Sequence, residues 1–228
     1  MDIGKVLNDS LEYAKDAVWE KWVRWLLLII MSVIFPLIWG YRVEVYRGKK
    51  PAPEPTNWVG LFVDGIKLLV IEFIYLIPVF IVLIIFIGVG VLSLIRGSPG
   101  AVIAGVGSIL GGILVAIIVF IIVMLFAIVG AIRFARTGRM GEAFNFSAIL
   151  DRIGKIGWGS YILALVVVAI VAGVIGIILA IISAIPVIGW LIALIVGPVV
   201  TILVARYVTL VYDSVPEGAA PVAAPPAA

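Results

Sequence analysis

A stretch of 50 residues without a charged side chain, residues 156–205, constrains this chain more than any other feature. As one helix it would be about 75 Å long, whereas roughly 20 residues are enough to cross the apolar core of a bilayer. The stretch must therefore fold back on itself. Pro186 and Gly189 favour a turn, and Trp190 suits the adjacent membrane boundary. The sequence predicts a helical hairpin here.

Two further uncharged stretches predict a second hairpin. Residues 73–95 provide 23 uncharged residues, enough for one crossing, and residues 96–100 form a short turn of Arg, Gly, Ser and Pro. Residues 101–132 are longer than one crossing requires, so they should tilt or extend beyond the hydrocarbon. Because only helices or closed barrels satisfy the backbone in lipid, we expect an all-α polytopic membrane helix bundle with four full spans.

The first apolar stretch, residues 25–41, has only 17 uncharged residues and contains Pro36. It is either one kinked helix that makes a fifth span or a re-entrant hairpin that returns to its own side. In the re-entrant arrangement every Lys and Arg except Arg96 faces one side, which is 15 of 16. Because basic loops stay cytoplasmic, we favour the re-entrant element, with both termini cytoplasmic and the chain in the plasma membrane.

Three segments predict amphipathic helices at the membrane surface: residues 2–22, a helix beginning at Asn57 as its N-cap, and residues 146–156. In the first, apolar residues recur at helical spacing opposite acidic ones. The alternative for residues 2–22 is an ordinary cap packed on the bundle. The predicted apolar positions of the first helix are Ile3, Val6, Leu7, Leu11, Ala14, Val18 and Trp22.

Composition excludes several kinds of chemistry. The chain is 64% hydrophobic and 13% charged and contains no cysteine and no histidine. Disulfides, thiol nucleophiles, thiolate metal sites and imidazole catalysis are thus excluded. No carboxylate lies within residues 73–132 or 156–205, which argues against proton-coupled transport. The sequence indicates no catalytic residue, no metal or cofactor, and no nucleic-acid partner.

Charged residues at the ends of apolar stretches are the first candidate site. Glu72, Arg133 and Arg206 occupy such positions, where ionisable groups usually pair or reach for the surface. They either form ion pairs across helices or line a small polar vestibule.

Small residues at helical spacing are the second candidate site. Gly107 and Gly111 form a GxxxG pattern, and Gly173 and Gly176 lie on one stretch of the last hairpin. Such residues let helix backbones approach closely. We expect packing within the bundle, with a dimer interface as the alternative.

The domain organisation follows from these segments. Residues 1–213 form a single integral membrane domain, with a loose repeat of amphipathic helix and apolar hairpin in residues 2–50, 57–139 and 142–213. Residues 214–228 are rich in Ala and Pro and predict a disordered tail.

Short motifs distributed over most of the chain resemble a family of multi-pass membrane proteins of unknown function, DUF4013, found in archaea and some bacteria. The matching motifs are WVGLFVDG (58–65), IYLIP (74–78), RTGR (136–139), AFNF (143–146), IPVIG (185–189) and ARY (205–207). The resemblance implies an archaeal plasma-membrane protein and no activity. Similar members carry an Ile-Pro-Ile-Val type of turn in the first apolar segment, where this chain has FPLI at 35–38.

Two functions remain open from the sequence. The first is a non-enzymatic scaffold that organises membrane lipids, other membrane proteins or further copies of itself, through helices that wedge into one leaflet. The alternative is a permease or channel for a small neutral or lipid-like solute, favoured by hairpins and glycine-rich helices. No residue supports an enzyme.

Overall fold

The computed structural model describes residues 1–216, and every regular element within them is helical. This confirms the predicted all-α membrane bundle. Of the expected tail, 214–228, residues beyond 216 lie outside the described part of the chain. The elements are α1 (Ile3–Val18), α2 (Trp22–Val33), α3 (Phe35–Tyr46), α4 (Trp58–Ile95), α5 (Pro99–Thr137), a 3₁₀ helix (Met140–Phe144), α6 (Phe146–Ile156), α7 (Trp158–Ser183) and α8 (Ile188–Asp213).

In the described part of the chain, four helices are long and apolar enough to cross a bilayer: α4, α5, α7 and α8. They form the two predicted hairpins. In the first turn, Ser98 caps α5 by accepting a hydrogen bond from the Ala101 amide at 3.3 Å. In the second turn, the backbone of Gly189 lies so close to the Ile182 carbonyl that a Cβ would collide with it. Glycine is therefore required where α7 turns into α8.

The core lies at one end of the molecule, away from the two hairpin turns, where the ion pairs of Glu72, Arg133 and Arg206 also lie. This end is called the charged end below. On α5 the exposed large apolar side chains end at Ile122, and residues 127–135 are largely buried. On α8 they end at Ile195, and most residues from Ile202 to Tyr212 are buried. The apolar stretch predicted to tilt or protrude at 101–132 therefore places its last turns inside the protein.

The helix predicted for residues 2–22 divides in two. α1 ends at Val18, Glu20 adopts a left-handed φ of 59°, and α2 begins at Trp22. α1 packs on α8 through a face that largely coincides with the predicted apolar one. Ala14 and Val18 are buried and Ile3, Val6 and Leu7 pack against the core, whereas Leu11 is exposed. Ser10, Tyr13 and Ala17 are also buried there. This contact matches the alternative of a packed cap. A position at the membrane surface stays a prediction.

The other two amphipathic segments fold differently from each other. Asn57 is the N-cap expected, accepting from the Gly60 amide at 3.0 Å, but the helix it starts continues without a break into the span of α4. α6 is a separate helix that buries Ile149, Arg152 and Ile153.

The first apolar stretch forms two helices, α2 and α3, of 12 residues each, separated at Ile34. Each is about 18 Å long, too short to cross a bilayer. Pro36 lies in the first turn of α3, where its missing N–H costs no helical hydrogen bond. α3 crosses α4 with backbones in contact: a Cβ on Gly40 would meet the Leu61 carbonyl, and one on Gly65 the Pro36 carbonyl.

Candidate functional site

The three charged residues singled out from the sequence each form an ion pair, but not with one another. Glu72 of α4 lies 3.3 Å from Arg42 of α3. Arg133 of α5 pairs with Glu142 of the 3₁₀ helix, and Arg206 of α8 lies 3.7 Å from Asp9 of α1. Each pair thus joins a long apolar helix to a short element at the charged end.

Arg206 is buried, with 2% of its surface exposed. Its guanidinium lies 4.7 Å from the centre of the Tyr13 ring, and the Tyr13 hydroxyl donates to the Lys49 carbonyl at 3.0 Å. Burial raises the pKa of Tyr13 to about 12, although the positive charges of Arg206 and Arg24 act in the opposite direction. These contacts hold α1 over the charged end of α8.

Arg24, at the start of α2, is a buried cation that sequence reasoning missed. It is 6% exposed and pairs with Glu54 in the linker that follows α3. The same linker accepts a hydrogen bond from the Tyr41 hydroxyl at the Pro53 carbonyl, at 2.9 Å. The linker therefore folds back over the place where α2 begins.

Two further arginines join the ends of helices. Arg136 donates to the Tyr46 carbonyl at 2.8 Å and to both carboxylate oxygens of Asp213 at 2.7 and 2.8 Å. Arg152 is 5% exposed and donates to the Val215 carbonyl at 2.8 Å. The sequence did not single them out: Arg136 lies in a basic connection, and Arg152 lies within the segment 146–156 predicted to be amphipathic. Together they place the ends of α3, α5, α6 and α8 side by side.

The glycines singled out from the sequence, two on α5 and two on α7, do not lie where helices approach closely. Among residues 1–216, no atom outside the local helix lies within 4 Å of a Cβ built on Gly107, Gly111, Gly173 or Gly176. The close approach uses Gly90, Gly105 and Gly112 instead: a Cβ on Gly105 would lie 2.7 Å from the Gly90 carbonyl, and one on Gly112 would meet Phe86. Packing at the four predicted glycines, including against a second chain, stays a prediction.

Two shallow grooves border α8. One, of about 250 Å³, lies between α2 and α8 and is lined by Trp22, Trp25, Leu26, Ile29 and Ile195. The other, of about 280 Å³, lies between α3 and α8 and is lined by Ile38, Trp39, Arg42, Val200, Thr201 and Val204. Within residues 1–216 there is no group of three or more acidic side chains that could hold a metal ion.

Two long apolar hairpins, joined at one end by a buried core and by ion pairs between the helices, define a polytopic helical membrane protein. The chain belongs to the family described as proteins of unknown function, DUF4013, whose model matches residues 25–184. The match runs from α2 through α7. No curated protein and no solved structure matches the chain.

Proposed function

We propose that this protein is a non-enzymatic component of the plasma membrane that organises lipids and partner proteins by inserting α2 and α3 into the cytoplasmic leaflet. The observation that carries the proposal is the two-faced surface of α2. Its buried face holds Arg24, Leu28 and Met31, whereas its exposed face is apolar. The exposed residues of this face are Trp22, Val23, Leu26, Ile30 and Val33.

The exposed face of α2 suits lipid and not water. Val23 is 75% exposed and Val33 64% exposed, although both side chains are aliphatic. Leaving apolar surface in water costs about 25 cal/mol per Å², a cost that hydrocarbon removes. A helix of 12 residues with such a face inserts into one leaflet instead of crossing both.

Contacts at the charged end support a re-entrant path for α2 and α3. Before the pair, α1 carries Asp9, and after it the linker carries Lys50, whose ammonium lies 3.0 Å from the Asp9 carboxylate. Arg24 at the entrance likewise pairs with Glu54 beyond the exit. A path that enters and leaves at the same side brings these residues together without a crossing. With the basic residues at one side, this favours cytoplasmic termini.

Electron paramagnetic resonance of a spin label tests the proposal directly, because the chain has no native cysteine. A label at Ile30→Cys, on the exposed face of α2, is expected to contact oxygen in the hydrocarbon and to avoid a water-soluble nickel reagent. A label at Glu12→Cys, on the exposed side of α1, is the matched control and should contact the nickel reagent. Nickel access at position 30 equal to that at position 12 would contradict leaflet insertion.

A second arm measures the effect on lipid. Wild-type protein reconstituted into vesicles is expected to deform them at high protein-to-lipid ratio, and Leu26→Asn with Val33→Asn should reduce the deformation, because both side chains belong to the exposed face. Solute flux through undeformed vesicles would favour the permease instead.

A further inference from the structure

We propose that the groove between α3 and α8 binds a phospholipid, with Arg42 donating hydrogen bonds to the phosphate and one acyl chain lying along the groove. This inference deepens the proposed function, on which it rests, by naming the class of lipid and its site. The groove has both of the features that an amphiphile requires. Its walls are the aliphatic side chains of Ile38, Val200 and Val204 and the ring of Trp39, and Arg42 and Thr201 add polar groups.

The geometry of Arg42 leaves hydrogen-bond donors free. Its Nη2 donates to the Tyr46 hydroxyl at 2.9 Å and lies 3.3 Å from the Glu72 carboxylate. Within residues 1–216 its Nε and Nη1 make no hydrogen bond. The side chain is 23% exposed and lines the groove, so a ligand in the groove meets the guanidinium.

Aromatic rings hold the guanidinium in place before a ligand arrives. Its central carbon lies 4.6 Å from the centre of the Trp39 ring and 5.7 Å from that of Tyr46. A stacked guanidinium loses little further freedom on binding and presents its donors in a fixed plane. Arginine held in this way is well suited to donate hydrogen bonds to a phosphate.

Charge complementarity indicates which headgroup binds. Glu72 offsets the charge of Arg42, so the groove does not present an excess of positive charge to a multiply charged anion. A phosphodiester carries a single charge and spreads it over two free oxygens. The Thr201 hydroxyl donates to the Gly197 carbonyl at 3.0 Å, which keeps the donor of this wall occupied. A phospholipid diester fits these groups better than a free polyphosphate.

The size of the groove is consistent with part of a lipid. At about 280 Å³ it lies just below the usual range of ligand pockets. It takes a segment of one chain along Ile38, Val200 and Val204, and the rest of the lipid remains in the surrounding leaflet.

Native mass spectrometry of the purified, delipidated full chain tests the site. The probes are dioleoyl phosphatidylglycerol and dioleoylglycerol, which share their chains and differ in the phosphate headgroup. The wild type is expected to bind dioleoyl phosphatidylglycerol about tenfold more tightly than dioleoylglycerol. Glu72→Gln should bind it at least as tightly, because Arg42 loses its competing carboxylate. Arg42→Gln combined with Glu72→Gln should lose about tenfold without leaving an unpaired carboxylate.

Two more variants separate the groove from general attraction to anionic lipid. Val204→Trp fills the groove and leaves the Arg42 and Glu72 pair unchanged, so it should also lose binding. Arg139→Gln removes a cation that is 74% exposed at the same end. This variant should bind the phospholipid as tightly as the wild type. Equal binding of dioleoylglycerol, or a loss in Arg139→Gln as large as in the double variant, would overturn the proposal. So would undiminished binding by Val204→Trp.

The spin label at position 30 is measured on the same variants. Loss of phospholipid binding with the label still in the hydrocarbon shows that the groove, and not the insertion of α2, has changed. A label in water with lipid still bound would contradict the proposed function alone.

Discussion

The indole Nε1 of Trp25 in α2 donates a hydrogen bond to the main-chain carbonyl of Ile195 in α8, at 3.1 Å. Ile195 lies in the turn before Pro198, which has no N–H and interrupts the hydrogen bonds of α8. The carbonyl that loses its helical donor is that of Leu194, next to Ile195, so the indole adds a hydrogen bond to the turn that the proline weakens. This contact fixes α2 against the second hairpin.

Trp25→Phe should release this contact and keep most of the ring's packing. We expect a loss of about 1 kcal/mol in the free energy of unfolding, the usual net value of one hydrogen bond. Denaturant titration in detergent measures it. Trp22→Phe is the matched control, since Trp22 is 72% exposed, its ring stacks on Trp25, and its indole makes no hydrogen bond to residues 1–216. Equal losses in the two variants would show that ring packing, and not the donor, is responsible.

Two glycines on α5 should respond to alanine in opposite directions. Gly105→Ala places a Cβ 2.7 Å from the Gly90 carbonyl, so the first hairpin must open, at a cost of about 1–3 kcal/mol. Gly107→Ala meets nothing within 4 Å and should stabilise the helix by about 0.5–1 kcal/mol. Thermal unfolding in detergent compares them. Destabilisation by Gly107→Ala in a form that also loses self-association would instead reveal a dimer contact at the GxxxG pattern.

The contact between Arg133 and Glu142 should make docking of the 3₁₀ helix sensitive to acid. The hydrogen bond from Arg133 is the largest cause that lowers the pKa of Glu142, and burial opposes it. Because the folded pKa lies below the ordinary value, the stabilisation is complete above that ordinary value and is lost as the pH falls through the lowered one. A fluorophore at Gly141→Cys should report release only in acid. In Glu142→Gln this pH dependence should be absent, and its persistence would assign the transition to another group.

Much of the fold follows from the distribution of charge along the chain. Residues 156–205 are too long for one crossing, and the structure places the turn at the predicted proline and glycine. The charge-free stretches likewise identify the four spans. These features are local, because a stretch without charge and a turn residue act wherever they occur in a bilayer.

The contacts between distant segments did not follow from the sequence. Gly105 and Gly107 are both glycines in the same apolar stretch, and the sequence does not distinguish them. Only the rotation of α5 about its axis places Gly105, and not Gly107, against Gly90. Asp9 gave no sign that it would face Arg206, because no periodicity links α1 to α8. Helix phase and partner choice depend on the whole assembly, which local patterns do not encode.

Cysteine-accessibility labelling of intact cells tests the central claim most directly, that α2 and α3 enter and leave the bilayer at the side that carries the basic residues. Single cysteines are placed at Glu12 and Thr56, which are exposed and lie before α2 and after α3. Both should react with a membrane-impermeant reagent from the same side of the membrane, the cytoplasmic one. A cysteine at Arg96, in the turn of the first hairpin, should react from the other. Labelling of positions 12 and 56 from opposite sides would contradict the re-entrant account.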